Sequence, residues 1–179
     1  AKTGTACEQL LYNLEDSIKA IASLFNNAKD LKAVIAKYID EHDTMRKEIE
    51  RMQAEAVKRA KEQLLQKARQ EDGLTIVSAL LPMPAASVKD LAFGIREAVK
   101  ENLLCVIGSV DADKPALTIM LSDDMVKDHG LNAGQMVREA AKLIKGGGGG
   151  QPHFATAGGK DKDGLSAAVD KIIAMAKAK

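Results

Sequence analysis

The chain has 179 residues, of which 46% are hydrophobic, enough for one domain or a domain with an extension. Its 26 Lys and Arg against 25 Asp and Glu leave a formal net charge of +1, so no global electrostatic signal for nucleic acid exists and only local clusters can argue for one. Aromatic residues make up 3% with no Trp, which leaves few rings for base stacking or for a large aromatic-lined pocket.

The opening AKTGTACEQ lacks an initiator Met and enters a helix almost at once, which suggests a piece of a longer chain. Over residues 5–26, Cys7, Leu11, Leu14, Ile18, Ile21 and Phe25 recur at alternating spacings of 4 and 3, one stripe of a helix that needs a partner. Asn26 and Asn27 break the pattern. A second stripe runs through Leu31, Ile35, Tyr38, His42, Met45, Ile49, Met52 and Ala56. The short Asn-containing connection favours an antiparallel helical hairpin or coiled coil. The second helix, ending near Ala68, spans roughly 55 to 60 Å at 1.5 Å per residue and outlasts the first. Beyond Ala56 its apolar seam weakens and becomes basic, with Lys58, Arg59, Lys61, Lys67 and Arg69 against Glu62. That stretch reads first as a solvated face, with RNA contact as the alternative. His42 reads as a partly buried seam residue, since no Cys, Asp or second His stands around it at metal-ligand spacing.

QEDG at 70–73 carries a helix-ending glycine. The periodicity then changes. Leu74 to Leu81 is a β-branched apolar run closed by Pro82 and Pro84, a buried strand. Ser87 is a good N-cap for a helix through Glu101 with Val88, Leu91, Ala92, Ile95 and Val99 inward. Leu103–Val110 and Ala116–Leu121 read as further strands, hairpin-paired across the DADKP turn, giving a mixed sheet with packed helices. Asp123, Asp124, Asp128 and His129 resemble a metal-ligand set superficially, but helix capping by Ser122 and acidic first-turn charge explain them more simply. Asn132 caps a helix with Met136, Val137, Ala140, Leu143 and Ile144 inward, ending at Lys145.

Residues 146–159 read GGGGGQPHFATAGG. Ordering glycine costs roughly 0.5 to 1 kcal/mol per residue relative to Ala, so the run is a linker or a backbone surface held open for approach. Too little chain follows for another domain, which removes the linker. A P-loop is excluded because Phe154 stands where its first glycine belongs and Asp161 follows Gly159-Lys160. The dinucleotide fingerprint fails because the run follows a helix and Gln151 takes the third glycine position. What survives is a capability: backbone N–H groups that can reach a phosphate or sugar.

The run, preceded by NAGQMVREAAKLIKG and followed by a closing helix, resembles the C-terminal domain of alanyl-tRNA synthetases, which is related to the module accompanying DHH-type phosphoesterases. The resemblance covers the whole chain, with residues 1–72 as the helical hairpin joining an upstream editing domain and 73–179 as the globular α+β module. It implies a part without catalysis of its own in a parent that attaches alanine to tRNA with ATP. The parent's ATP, Mg²⁺ and the zinc of its editing domain belong upstream, with no cofactor in this stretch. The implied partners are tRNA, at the outer corner where the D and T loops meet, and the parent's catalytic and editing domains. The two cysteines, Cys7 and Cys105, are far apart, no signal peptide precedes them, and no apolar run approaches the ~18 residues of a membrane span; the expected location is cytoplasmic.

Carried onto this sequence, the resemblance assigns tRNA contact to Gly146, Gly147, Gly148, Gly149, Gly150, Gln151, Pro152, His153, Gly158 and Gly159. Many bacterial versions have Arg where Gln151 stands, so Lys142, Lys145, Lys160 and Lys162 are the candidates to supply charge. Phe154 reads first as core packing and otherwise as a stacking contact. Two other classes stay open: the nucleic-acid-binding half of a DHH-type phosphoesterase, against which the missing DHH motif argues, and a coiled coil that forms a homodimer.

Overall fold

The computed structural model describes residues 4–178, so the ends of the two expected domains, residues 1–3 and 179, lie outside the described residues. The chain divides into two compact units, Ala1–Arg51 and Met52–Lys179.

In the first unit, α1 (Thr5–Leu24) leads into α2 (Leu31–Gln66), whose end belongs to the second unit. Asn26 and Asn27 both take left-handed φ values of 54°, a conformation their short polar side chains tolerate. Asp30 Oδ1 accepts the Ala33 N–H at 2.9 Å and caps α2. Phe25 and Tyr38 meet with ring centroids 5.5 Å apart. The two stripes do not bury one another as expected. Leu11, Leu14, Ile18 and Ile21 are 44–58% exposed and α1 has no buried residue, while Tyr38, Met45 and Ile49 are equally open. His42 is not partly buried either; it is solvent-facing, with Nδ1 3.7 Å from Asp43 Oδ1.

The second unit is a six-stranded mixed sheet with strands β1 (Arg69–Glu71), β2 (Leu74–Leu81), β3 (Leu103–Asp111), β4 (Lys114–Leu121), β5 (Gly147–Gly150) and β6 (Phe154–Gly158), in the order β1-β2-β3-β4-β6-β5. Only β2 and β3 run parallel, joined by α3 (Ala85–Ala98); the other neighbours are antiparallel. The QEDG segment is a hairpin rather than a helix end. Asp72 and Gly73 have φ of 53° and 81°, the two left-handed residues of a type I′ turn, and they fold β1 back on β2. Helix α3 starts two residues before Ser87, which is therefore a buried first-turn residue and not the cap.

Alternation along the central strands builds two cores. On one face Leu103, Cys105, Ile107 and Met120 pack under α3 and the end of α2, where Ala60 and Leu64 are buried. The basic end of α2, whose seam reads as the weaker one, is thus the part that packs. On the other face Leu104, Val106, Leu117 and Ile119 pack against α4 (Asp123–Lys127), α5 (Ala133–Ala141) and α6 (Leu165–Lys177). Cys105 lies wholly inside, and burial pushes its thiol up to about 12. Among the described residues no helix is long and apolar enough to cross a membrane.

Ser122 does not cap α4. Its hydroxyl accepts the buried Leu103 N–H at 2.8 Å and hydrogen-bonds Asp124, whose carboxylate accepts the Asn102 N–H at 2.7 Å. Burial raises the Asp124 pKa, but the hydrogen bonds from Ser122 and from backbone N–H groups outweigh it and hold it below the usual range. A depressed carboxylate contributes stability above its unfolded pKa, about 4, and loses it as pH falls through the folded value. Ser122→Ala should cost about 1–3 kcal/mol in urea unfolding, because the Leu103 N–H is left buried without a partner. Asp124→Asn should lower neutral-pH stability and flatten its decline on acidification; an unchanged acid limb would remove Asp124 from that role.

Candidate nucleic-acid interface

The glycine run is neither linker nor loop. It is the edge strand β5, paired with β6 so that Gly147 faces Gly158, Gly148 Ala157, Gly149 Thr156 and Gly150 Ala155. Its four glycines divide by face. A Cβ on Gly148 would overlap Thr156 O and the Ala157 side chain, and one on Gly150 would overlap Phe154 O and Ala155. Gly134 of α5 lies close to Gly150 O in the same way. A Cβ on Gly147 or Gly158, by contrast, would meet nothing within 4 Å. Half the run is glycine because the packing admits nothing else, while at Gly147 and Gly158 packing makes no such demand.

The turn that closes the hairpin is pinned. Gln151 N–H donates to Phe154 O and Ala133 N–H to Pro152 O, both at 2.8 Å, and Leu121 N–H donates to His153 O at 2.8 Å. Phe154 packs on Phe93 of α3 with centroids 5.2 Å apart, the core role expected of it. Gly150, Gln151, Pro152 and His153 therefore sit at the hairpin's turn, away from its open Gly147–Gly158 end.

That open end forms one side of a cavity of about 520 Å³. Gly146, Gly147, Gly158, Gly159, Lys145 and Lys160 line it, joined by Ala85 at the start of α3, Ser109 and Asp111 of β3, and Lys114, Pro115 and Ala116 of β4. The walls are tied through backbone: Gly159 N–H to Pro115 O at 2.9 Å and Lys160 N–H to Ile144 O at 2.9 Å. Sequence reasoning missed Lys114, Ser109 and Asp111, because only the antiparallel pairing of β3 with β4 and of β4 with β6 brings them beside the glycines. The one available signal was the hairpin turn, which places Asp111 opposite Lys114.

The four candidate lysines are unequal. Lys142 pairs with Glu139 at 2.8 Å and Lys162 with Asp113 at 2.9 Å, and neither lines the cavity. Lys145 is on the rim but bridges to Asp161 at 2.8 Å, which raises its own pKa and lowers that of the aspartate. Among the described residues Lys160 and Lys114 carry no ion pair.

Lys145 also occupies an unusual backbone position. The last turn of the preceding helical segment is a 3-10 turn, Lys142–Ile144, and Lys145 follows with φ 49° and ψ 46°. Lys145 N–H returns to Lys142 O and Gly146 N–H to Ala141 O, a Schellman closure whose left-handed site normally takes glycine. In a chain with glycine at the next five positions, lysine stands at the one place where glycine is most favoured.

The chain belongs to the DHHA1 domain family, whose pattern matches residues 84–178, just over half of its length. Among characterised proteins it is similar to the alanine–tRNA ligase of Bacteroides fragilis strain YCH46, 49% identical over 98% of this chain, and to that of Bacteroides thetaiotaomicron, 48% identical over 98%. It spans only 20% of the length of each. Among solved structures it is similar to the C-Ala domain of Aquifex aeolicus alanyl-tRNA synthetase, with a TM-score of 0.50 and 29% identity over 57% of this chain and 89% of that one. RecJ from Thermus thermophilus shares the fold, with a TM-score of 0.50 at 15% identity over 86% of this chain and 22% of RecJ.

Two substitutions separate packing from openness. Gly148→Ala should cost about 2 kcal/mol or more in thermal or urea unfolding through backbone overlap, whereas Gly147→Ala should be neutral or stabilising by up to about 1 kcal/mol. Equal losses would contradict the division of the strand. Lys145→Gly should show no loss of stability although it deletes an ion pair, because relief of the left-handed strain, about 1 kcal/mol, offsets an exposed bridge of about 0–1 kcal/mol.

Proposed function

We propose that this chain is the C-terminal tRNA-holding domain of an alanine–tRNA ligase and carries out no chemical step of its own. It docks on the outer corner of the tRNA, where the D and T loops meet, and brings the aminoacylation and editing centres of the parent onto one tRNA. ATP, Mg²⁺ and the editing zinc are assigned to those other domains, and the helices ahead of the sheet, α1 and the first part of α2, to the connection with them.

The observation that carries this reading is the side-chain-free end of β5 and β6, bordered by Lys114, Lys145 and Lys160. Without a Cβ at Gly147 and Gly158, a sugar–phosphate backbone can approach the sheet closely, and the lysines neutralise it. With no aromatic side chain in the cavity lining, the interface reads phosphate, sugar and shape rather than stacked bases. The similarity to alanine–tRNA ligases and to the C-Ala domain supports tRNA as the RNA in this reading.

Footprinting of tRNA with this chain tests the reading. Protection at the elbow is expected; protection confined to the acceptor end would favour a phosphoesterase-like grip on a nucleic-acid end, and no protection would refute both. With two or three rim cations engaged, log affinity should fall against log salt with a slope of roughly −2 to −3. Lys160→Ala and Lys114→Ala should each weaken binding and reduce that slope by about 1, while Lys142→Ala and Lys162→Ala should change little. An affinity untouched by replacing all five lysines would remove the cavity from the interface.

A further inference from the structure

The edge strand β5 also meets a cation that takes no part in the cavity. Arg138 of α5 lies one turn beyond Gly134, the residue through which that helix comes close to Gly150 O. Its guanidinium stands over the neighbouring glycine, with Nη2 and Nε 3.6 and 3.7 Å from the point that a Cβ of Gly149 would occupy. Arg138 is exposed, and among the described residues it makes no ion pair or side-chain hydrogen bond. The neighbouring charges explain why. Glu139 is the one carboxylate on α5, and Lys142 at 2.8 Å and Lys171 at 3.9 Å both lie against it. The charge of Arg138 is left uncompensated and its donors stay open. A cation in the last turn suits the helix dipole, but the dipole sets no lateral direction for it. The bare backbone at Gly149 does, because no side chain there holds the guanidinium off the strand.

Gly149 faces Thr156 across the ladder, as Gly147 faces Gly158. Two residues apart, Gly147 and Gly149 share one face of the strand and stand roughly 7 Å from each other at about 3.4 Å per residue. That step is close to the one between successive phosphates of a polynucleotide strand. We propose that Arg138 is a further RNA contact outside the cavity: a strand with one phosphate at the Gly147 end runs along β5, and Arg138 takes the next phosphate. The proposal rests on the reading that RNA docks at Gly147 and Gly158, and it adds the direction in which the RNA backbone leaves them. Arginine suits the position, since its planar fork can hold two phosphate oxygens at once, whereas a lysine is a point charge.

The test uses the 179-residue chain with tRNA, following affinity against salt and backbone contacts by hydroxyl-radical footprinting. Arg138→Ala should bind about 5–10-fold more weakly, the loss of one charge-assisted contact, and the slope of log affinity against log salt should flatten by about 1. Arg138→Lys should keep the slope and recover only part of the affinity. In the footprint, Arg138→Ala should uncover a nucleotide adjacent to the one that Lys160→Ala uncovers. Its melting temperature should stay within about a degree, since the guanidinium has no partner among the described residues. Unchanged affinity and slope in Arg138→Ala, with Lys160→Ala still weakening the complex, would overturn the inference and leave the RNA-holding reading intact. Protection lost evenly over the whole footprint would also overturn it. No tRNA binding by the unaltered chain would sink both.

Discussion

The close approach of α5 to the edge of the sheet is the constraint on which the rest of the second unit depends. Strand β5 runs with Gly148 and Gly150 against β6, and Gly134 of α5 close over Gly150. A side chain at Gly148 or Gly150 would collide with the backbone of β6 and with Ala155 or Ala157, which belong to the core that also holds Val137, Ala140 and Ile144. Four glycines make a weak strand in isolation, yet this one is held by its ladder to β6 and by the Schellman closure that enters it. Packing against β6 thus accounts for Gly148 and Gly150, while Gly149 lies beside Arg138 and a Cβ at Gly147 would meet nothing within 4 Å.

The three central strands β2, β3 and β4 were legible from sequence, whereas β1, β5 and β6 were not. Leu74–Leu81 was readable to the residue because the run is rich in apolar and β-branched residues, of which Leu74, Ile76 and Val77 are buried. The helices were less so, and the failure is instructive. The 4-3 periodicity in residues 7–56 is stronger than anything in 57–68, yet Leu11, Leu14, Ile18, Ile21, Met45 and Ile49 are exposed while Ala60 and Leu64 are buried. Periodicity reports that a face could be buried, not that this chain contains what covers it. The basic end of α2 packs through Ala60 and Leu64 with Val57, Leu65 and Ala68 beside them, and Lys61 lays its methylenes over Gly94, a use of a charged side chain that a charge count does not reveal.

The hairpin at residues 69–75 shows a different limit. Asp72-Gly73 serves equally as a helix-ending glycine signal and as a type I′ turn, and the choice depends on whether a strand partner lies after it. Here the partner is the first strand of the sheet, and Lys177 of α6 bonds Glu71 across the result. At the site, the glycine run, Lys145 and Lys160 were legible because they are contiguous. Lys114, Ser109 and Asp111 were not, since their place beside the glycines exists only after two antiparallel pairings bring β3, β4 and β6 side by side.

Charge follows the same logic of local placement. A chain of net charge +1 makes a cationic rim only by cancelling charge elsewhere, and the pairing pattern does this. Lys142, Lys162, Lys171 and Lys177 each lie against a carboxylate on Glu139, Asp113 or Glu71, away from the cavity. Among the described residues, Lys114 and Lys160 are left without an ion pair beside it. Lys145 stands between the two groups, on the cavity rim and paired with Asp161. Its bridge is exposed and worth little by itself, so the left-handed backbone of Lys145, set by the Schellman closure, owes nothing to that pair and follows from how the helical segment hands over to β5.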